Sequence, residues 1–420
     1  MRVLWFTNTP SLGAKFLNSK EIGGGWIESL EAELANVPFI KLGISFKLNS
    51  KDIKQFSVGN TSYYPIYIKP RKNKFMEKVL RWSHNVENEN NIQPYLDVIQ
   101  QFKPDLIHIF GSESAFGLIV SKTTVPCIIY LQGNLTVINL KWFSGLTAID
   151  ILKYSNKWLL LKGFGLYHNY FLNKNAAERE NRIFKSCKYF IGRTDWDRRL
   201  SSVLSPGSRY FHCDEIMRPA FYLLQWQPSS NETDFVIVST VRNNIFKGLE
   251  TIYECKKILN QNFPGYNIIW KIAGIIEGDE ILYLIERKFK DKFKYINIQL
   301  LGHLQENELL GELLKADLFV HPSHIDNSPN SVCEAMLIGM PVIATFAGGI
   351  PSIIDDKKEG LLVQDGDPYA LTGAIIELIK DRNYAKSLGI KAREKALIRH
   401  NPDHILKDVL NIYNSIITDQ

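Results

Sequence analysis

Short apolar runs recur along the chain, separated by stretches whose apolar residues return every three or four positions. The first run is Val3–Phe6, followed by a glycine-rich loop, Gly23-Gly24-Gly25-Trp26, and a helix from near Ile27 through the SLEAEL pattern. Runs at Phe39–Ile44, Tyr63–Ile68, Leu106–Phe110, Cys127–Leu131 and Tyr189–Gly192 read as strands, with helices over Ile92–Phe102, over Ser114–Val120 and after Thr194. A second series predicts strands at Phe235–Ser239, Ile268–Ala273, Ile298–Leu301, Leu318–His321, Val342–Ala344 and Gly360–Val363. Its helices fall on Leu249–Asn260, Asp279–Phe289, Glu306–Lys315, Asn330–Ile338 and Pro368–Ile379, and the tail is helical over Tyr384–Arg399 and Pro402–Ile417. Near-continuous apolar strands alternating with helices predict parallel sheets covered on both faces. The expected fold class is α/β, with two Rossmann-like, doubly wound domains. Strand, glycine-rich loop and helix at the start resemble a Rossmann opening, although the loop is not GxGxxG and reads equally well as a flexible turn.

A length of 420 residues also favours two domains. The Pro-, Ser-, Asn- and Gln-rich segment Gln225–Thr233 is the best linker. The expected division is 1–224 for the first domain, 225–233 for the linker, 234–401 for the second domain, and 402–420 for a last helix. Hydrophobic residues at 45% and charged residues at 22% are ordinary for a globular chain. The net charge of +6 is compatible with an acidic ligand or an anionic membrane surface. Nothing resembles an arginine-rich arm or a zinc finger, so nucleic acid is not an expected partner. The odd, widely spaced set Cys127, Cys187, Cys213, Cys255 and Cys333 argues for a reducing cytosol rather than a disulfide framework. Neither a signal-peptide apolar region nor a run of ~18 apolar residues is expected. Two basic and aromatic stretches, Lys69–Trp82 and Asn139–Leu172, suit a membrane surface, and read alternatively as helices packed on their own domain.

The candidate chemistry falls at predicted strand ends, where doubly wound folds bind ligands. After Phe235–Ser239, Arg242 and Lys247 flank a short loop before a helix, a pairing suited to a diphosphate. Gly302-His303-Leu304 is a strand-to-turn step whose backbone can read the edge of a base. After Leu318–His321, Asp326 lies in a loop, Pro329 opens the next helix, and the N–H groups around Asn330–Val332 are expected to be free for oxygen atoms. Glu334 follows among apolar neighbours, and a carboxylate suits vicinal hydroxyls.

Asp326-x7-Glu334 running into EAMLIGMPVIAT, Gly348-Gly349, and the upstream Arg242 and Lys247 resemble the retaining enzymes of glycosyltransferase family 4. In the first half, the glycine loop, IHIFGSESAFG and Gly192-Arg193-Thr194-Asp195-Trp196-Asp197 resemble, more loosely, bacterial members that build surface polysaccharides. The resemblance implies a GT-B fold, with two Rossmann-like domains facing across a cleft and the last helix crossing back to the first. Arg242 and Lys247 would hold the diphosphate of a nucleotide-sugar donor, Glu334 the ribose, and Asp326 the transferred sugar. The backbone of Ser328, Pro329, Asn330, Ser331 and Val332 would contact sugar and phosphate, and Gly24 and Gly25 would approach the diphosphate. Two departures stand out. Asp326 replaces the usual Glu, one methylene longer. Gln132-Gly133-Asn134 stands where many members carry His-Gly at the acceptor, and Gln can orient a hydroxyl but is no base.

Three other patterns are weighed against metal or catalytic roles. Asp195-Trp196-Asp197 is read as a helix's first turn rather than a metal-binding DxD. His321-x-x-His324 lacks a third ligand. His108 is read either as an acceptor-side residue or as a satisfied core histidine. The expected function is metal-independent transfer of a hexosyl unit from a nucleotide diphosphate sugar to a lipid-linked or growing glycan. The expected place is the cytoplasm, with peripheral contact to the inner face of the cytoplasmic membrane. Alternatives are a nucleotide-sugar epimerase, a soluble-acceptor transferase, or a non-catalytic sugar-nucleotide-binding subunit.

Overall fold

The computed structural model describes residues 1–17, 25–67, 74–84, 91–228 and 234–419. Gly24, residues 69–73 of the first basic stretch and residues 229–233 of the expected linker lie outside these.

The chain divides into two compact units. Unit 1 comprises Met1–Val137, Leu172–Arg218 and His400–Gln420, and unit 2 comprises Ile138–Phe171 and Pro219–Arg399. Residues 138–171 therefore pack with the second unit, whereas the sequence-based division placed them with the first. The apolar positions Trp142, Leu146, Ile151 and Leu166 explain this, because they join the core of unit 2. Trp226, inside the expected linker, is also anchored there: its N–H donates to Ile338 O at 2.7 Å and its indole Nε1 to Ala316 O at 2.6 Å.

Unit 1 carries strands β1 (Arg2–Thr7), β2 (Lys41–Leu48), β3 (Phe56–Val58), β4 (Thr61–Tyr67), β5 (Leu106–Phe110), β6 (Cys127–Tyr130), β7 (Tyr189–Gly192) and β8 (Arg209–His212). They form one sheet in the order β3-β4-β2-β1-β5-β6-β7-β8, parallel except for the β3–β4 pair. Leu4, Phe6, Ile107, Ile109, Ile129 and Phe190 fill the core on one face, so these strands read as unbroken apolar runs. The helix Pro402–Thr418 belongs to this unit, and its Tyr413 hydroxyl meets Trp5 Nε1 at 3.2 Å.

Unit 2 carries β9 (Asp234–Thr240), β10 (Asn267–Ala273), β11 (Ile298–Gly302), β12 (Leu318–His321), β13 (Val342–Thr345) and β14 (Leu361–Val363). Their order is β11-β10-β9-β12-β13-β14, all parallel. This is the Rossmann 3-2-1-4-5-6 order, and its direction of winding reverses between β9 and β12. Ser239 Oγ on β9 crosses that seam by donating to Val320 O on β12 at 2.7 Å, and is itself held from β10, where Trp270 Nε1 donates to it at 3.0 Å. Among the described residues no helix is long and apolar enough to cross a membrane. All five cysteines are buried, and none forms a disulfide among the described residues.

Candidate active site

In a doubly wound sheet, side chains converge beyond the carboxyl ends of the two strands at the switch point. In unit 2 those strands are β9 and β12. The loop after β9 carries Arg242 and Lys247, and the loop after β12 carries Asp326. Gly248 closes the first loop with φ +73° and starts the helix Leu249–Asn262. A Cβ there would lie 2.0 Å from Pro322 O, so only glycine lets the two loops pass this closely. The loops are also bonded directly: His324 N–H and Ser323 Oγ both donate to Phe246 O, at 2.9 and 3.1 Å.

This framework brings two of the sequence candidates, Lys247 and Asp326, together with one further residue, His321. Lys247 Nζ donates to Asp326 Oδ2 at 2.6 Å. His321 Nε2 lies 3.2 Å from the same oxygen. Burial by itself raises a carboxyl's affinity for protons, but the Lys247 ammonium and the His321 ring outweigh it and hold Asp326 well below the usual carboxylate range. Asp326 is therefore ionised throughout the ordinary pH range. Its backbone is fixed from the other side, where Gly349 N–H donates to Asp326 O at 2.9 Å. Gly348, at φ +56°, would place a Cβ 1.9 Å from that same carbonyl. The Gly-Gly turn thus exists to let one strand-end loop rest on the other.

Glu334 sits in the helix Asn330–Leu337 and is almost fully buried, as its apolar neighbours suggested. The helix start carries no side-chain cap, but the Val332 N–H donates to Pro329 O at 3.0 Å. Val332 is therefore not an open donor, because the first turn tightens on Pro329. Ser328 and Pro329 are buried, while Asn330 and Ser331 are partly exposed. Arg242 is exposed. His303, exposed, and Leu304 follow β11 at the far edge of the sheet, two strands from β9.

The two histidines of His321-x-x-His324 diverge. His324 is fully buried, with Nε2 2.6 Å from Glu250 Oε1 and Nδ1 3.5 Å from Asp365 Oδ2. Burial alone would lower its pKa, but the Glu250 carboxylate overrides this, aided by Asp365, and raises it. Lys141 Nζ reaches the same Asp365 oxygen at 3.4 Å. Gly145 lies against this node, since a Cβ there would be 2.1 Å from Glu250 Oε1. The second histidine thus fastens residues 138–171 to the loop that bears Asp326. Among the described residues no group of three or more His, Cys, Asp or Glu side chains could hold a metal ion.

In unit 1 the winding reverses between β1 and β5. Gly25 has φ +55° and precedes the helix Trp26–Ala35. Of the two readings offered for His108, its placement matches the core one. It is fully buried on β5, Nδ1 lies 2.5 Å from the Tyr413 hydroxyl, and the ring stacks on Phe110 at 4.2 Å. Burial drives its pKa down to about 3, so it stays neutral. Beyond β6, Gln132 and Gly133 are partly exposed, and Arg193 Nη2 donates to Gln132 O at 3.2 Å. Asn134 caps the next helix, its Oδ1 accepting from Val137 N–H at 3.0 Å. Asp197 is also a cap. It takes Arg193 N–H at 2.9 Å and forms a capping box with Thr194, while Asp195 pairs with Arg198 at 3.0 Å.

Sequence reasoning missed Asn8 and Glu113. Both follow the strands at the unit 1 switch point, and Asn8 Nδ2 donates to Glu113 Oε1 at 3.0 Å. The strand order is the signal that finds them, and it exists only once the sheet is assembled. Burial raises the Glu113 carboxyl.

Residues 223–395 match the family described as Glycosyl transferases group 1. The putative colanic acid biosynthesis glycosyltransferase WcaL of Salmonella typhimurium is 27% identical over 188 residues, 43% of this chain and 45% of that protein. The chain spans less than half the length of the curated relatives it matches. Sucrose-phosphate synthase from Thermosynechococcus elongatus superimposes over 100% of both chains, with a TM-score of 0.73 and 14% identity. Anabaena HepE in complex with UDP and glucose covers 99% of this chain and 100% of its own, with a TM-score of 0.65 and 15% identity. Residues 223–395 are accordingly a group 1 glycosyl transferase domain, within a chain whose two Rossmann-like units have the GT-B fold.

Proposed function

We propose that the chain is a retaining glycosyltransferase of the family 4 type. It moves a hexosyl unit from a UDP- or GDP-sugar to a lipid-linked or growing polysaccharide acceptor, at the inner face of the cytoplasmic membrane. The observation that carries this reading is the Lys247–Asp326 pair, backed by His321, at the switch point of the unit 2 sheet. A diphosphate entering there exchanges for Asp326 as the partner of Lys247, and the exposed Arg242 supplies the second cation. Asp326, released from the ammonium, accepts hydrogen bonds from hydroxyls of the transferred sugar. Glu334 takes the ribose. The backbone at Ser328, Asn330 and Ser331 serves sugar and phosphate, His303 and Leu304 the base edge, and Gly25 the diphosphate from unit 1.

In this scheme the bond from the anomeric carbon to the phosphate oxygen breaks, and its electrons go to the phosphate. The acceptor oxygen attacks from the same face, and its proton passes to the departing phosphate. Gln132, with Gly133 and Asn134, orients the acceptor without acting as a base. The rate comes from positioning and from stabilising charge on the phosphate. Because Lys247 and Arg242 provide that charge, no metal cofactor is needed, and chelation with EDTA is expected to leave donor turnover unchanged. The curated relatives named for colanic acid, amylovoran and capsular polysaccharide biosynthesis, and the UDP in HepE, support the substrate class.

The test is release of nucleoside diphosphate from a panel of nucleotide sugars. Wild type turns over one of them, and Lys247→Ala slows release by on the order of a hundredfold or more. Release unaffected by that substitution overturns the site. Binding of a donor with no release at all favours a non-catalytic subunit, and interconversion of the sugar without release favours an epimerase.

A further inference from the structure

Residues 138–171 have two faces. The inner face is built into unit 2. Trp142, Leu146, Ile151 and Leu166 lie in its core, Leu166 N–H donates to Glu280 Oε2 at 2.9 Å, and Asp150 pairs with Lys288 at 3.1 Å. The outer face leaves large apolar side chains in solvent: Leu140 is 80% exposed, Ile149 74%, Trp158 73% and Leu161 59%. Scattered exposed apolar residues need no explanation. Leu140 ends the helix Leu135–Leu140, and the other three fall on consecutive short helices, Ala148–Tyr154 and Lys157–Leu161, the first of them anchored in the core by Ile151.

The charge around them selects the occupant. From Ile151 to Phe171 there is no acidic residue, and Lys153, Lys157 and Lys162 are exposed. The one acid of the whole segment, Asp150, is held by Lys288 and by its Thr147 cap. Lys153 Nζ rests over the Tyr154 ring at 5.0 Å, an apolar stem with a cationic tip. Cations fringing aliphatic and indole side chains match an interface with anionic headgroups above and acyl chains below.

We propose that the outer face of residues 140–162 is a docking surface for an anionic lipid bilayer, carried by the donor-binding unit. The inference rests on the reading that the enzyme works at a membrane, and it assigns the contact to one segment. That segment also touches the donor loops, because Trp142 packs on Phe246, next to Lys247, at 5.7 Å between ring centroids. Bilayer contact is therefore fastened to the loop that takes the diphosphate.

Co-sedimentation of the full chain with vesicles tests this. Wild type is expected to pellet with vesicles of phosphatidylglycerol and phosphatidylcholine at low salt, to be released at high salt, and to stay in solution with phosphatidylcholine alone. Trp158→Ser/Leu161→Ser and, separately, Lys153→Glu/Lys157→Glu are expected to weaken binding on the order of tenfold, with donor hydrolysis in detergent-free buffer unchanged. Failure of wild type to pellet, or equal pelleting of wild type and both variants, overturns the proposal. So does capture by an acidic soluble protein without any vesicle binding. If vesicle binding fails while donor hydrolysis responds to Lys247→Ala, only the docking surface falls. If vesicle binding holds while hydrolysis is indifferent to Lys247, the transferase reading falls instead.

Discussion

Glu180 shows how a single carboxyl can serve structure rather than chemistry. It is fully buried in unit 1, accepts from Ser112 Oγ at 2.6 Å and from Thr136 N–H at 3.2 Å, and so closes the start of the helix that follows Asn134. Burial, partly offset by these donors, raises its pKa to about 7. A carboxyl whose folded pKa is raised contributes its full stability below the unfolded value and loses it as pH climbs through the folded one. The melting temperature of wild type is therefore expected to fall relative to Glu180→Gln between pH ~4.5 and ~7, by the equivalent of up to ~3 kcal/mol. Identical pH dependence of the two proteins would contradict this. Asp326 is the opposite case: held far below the usual carboxylate range, it adds no limb to a pH–rate profile in the neutral range. Asp326→Asn leaves Lys247 with a neutral partner. It is expected to lower donor turnover by tenfold or more, read as nucleoside diphosphate release, while His321 and Lys247 stay in place.

The strands and helices were legible in the sequence because parallel strands buried on both faces are runs of apolar residues, and all six strands of unit 2 were located to within a residue or two. Strands β3 and β8 were missed, because β3 is a three-residue edge strand and β8 is a four-residue edge strand with no buried position. The acid pair and the two cations were legible as a spacing. His321 was not, because nothing in the sequence distinguishes a histidine that backs an aspartate from one that ends a strand. His324 escaped for the same reason, as its partners Glu250 and Asp365 are remote in the chain. The glycines that hold the two loops together make the tightest demand at this scale. Gly348→Ala combines a left-handed backbone with a Cβ on Asp326 O. It is expected to cost at least ~2 kcal/mol in a denaturation experiment and to weaken nucleotide-sugar binding in a thermal-shift assay, because Asp326 must move.

At the scale of the molecule, the least legible property was which residues belong together. Composition pointed to one boundary near Gln225, whereas the chain passes between units after Val137, Phe171, Arg218 and Arg399. Only tertiary packing reveals this, since the apolar residues of 138–171 are ordinary helix residues until their partners are known. The last crossing has a direct test. Helix Pro402–Thr418 delivers Tyr413 to Trp5 and His108, so ending the chain at Arg399 strips fully buried side chains of their cover. Tyr413→Phe is expected to cost ~1–3 kcal/mol by orphaning these partners, and the truncation to unfold unit 1, seen as loss of its cooperative melting transition. The repeated crossings also bear on heredity. No single cut in the gene separates the two units, so a simple exchange of one gene end for another cannot graft a new second unit onto an old first unit. A second unit taken from a relative must bring its own counterpart of residues 138–171, or leave Trp142, Leu146, Ile151 and Leu166 facing surfaces they did not evolve with.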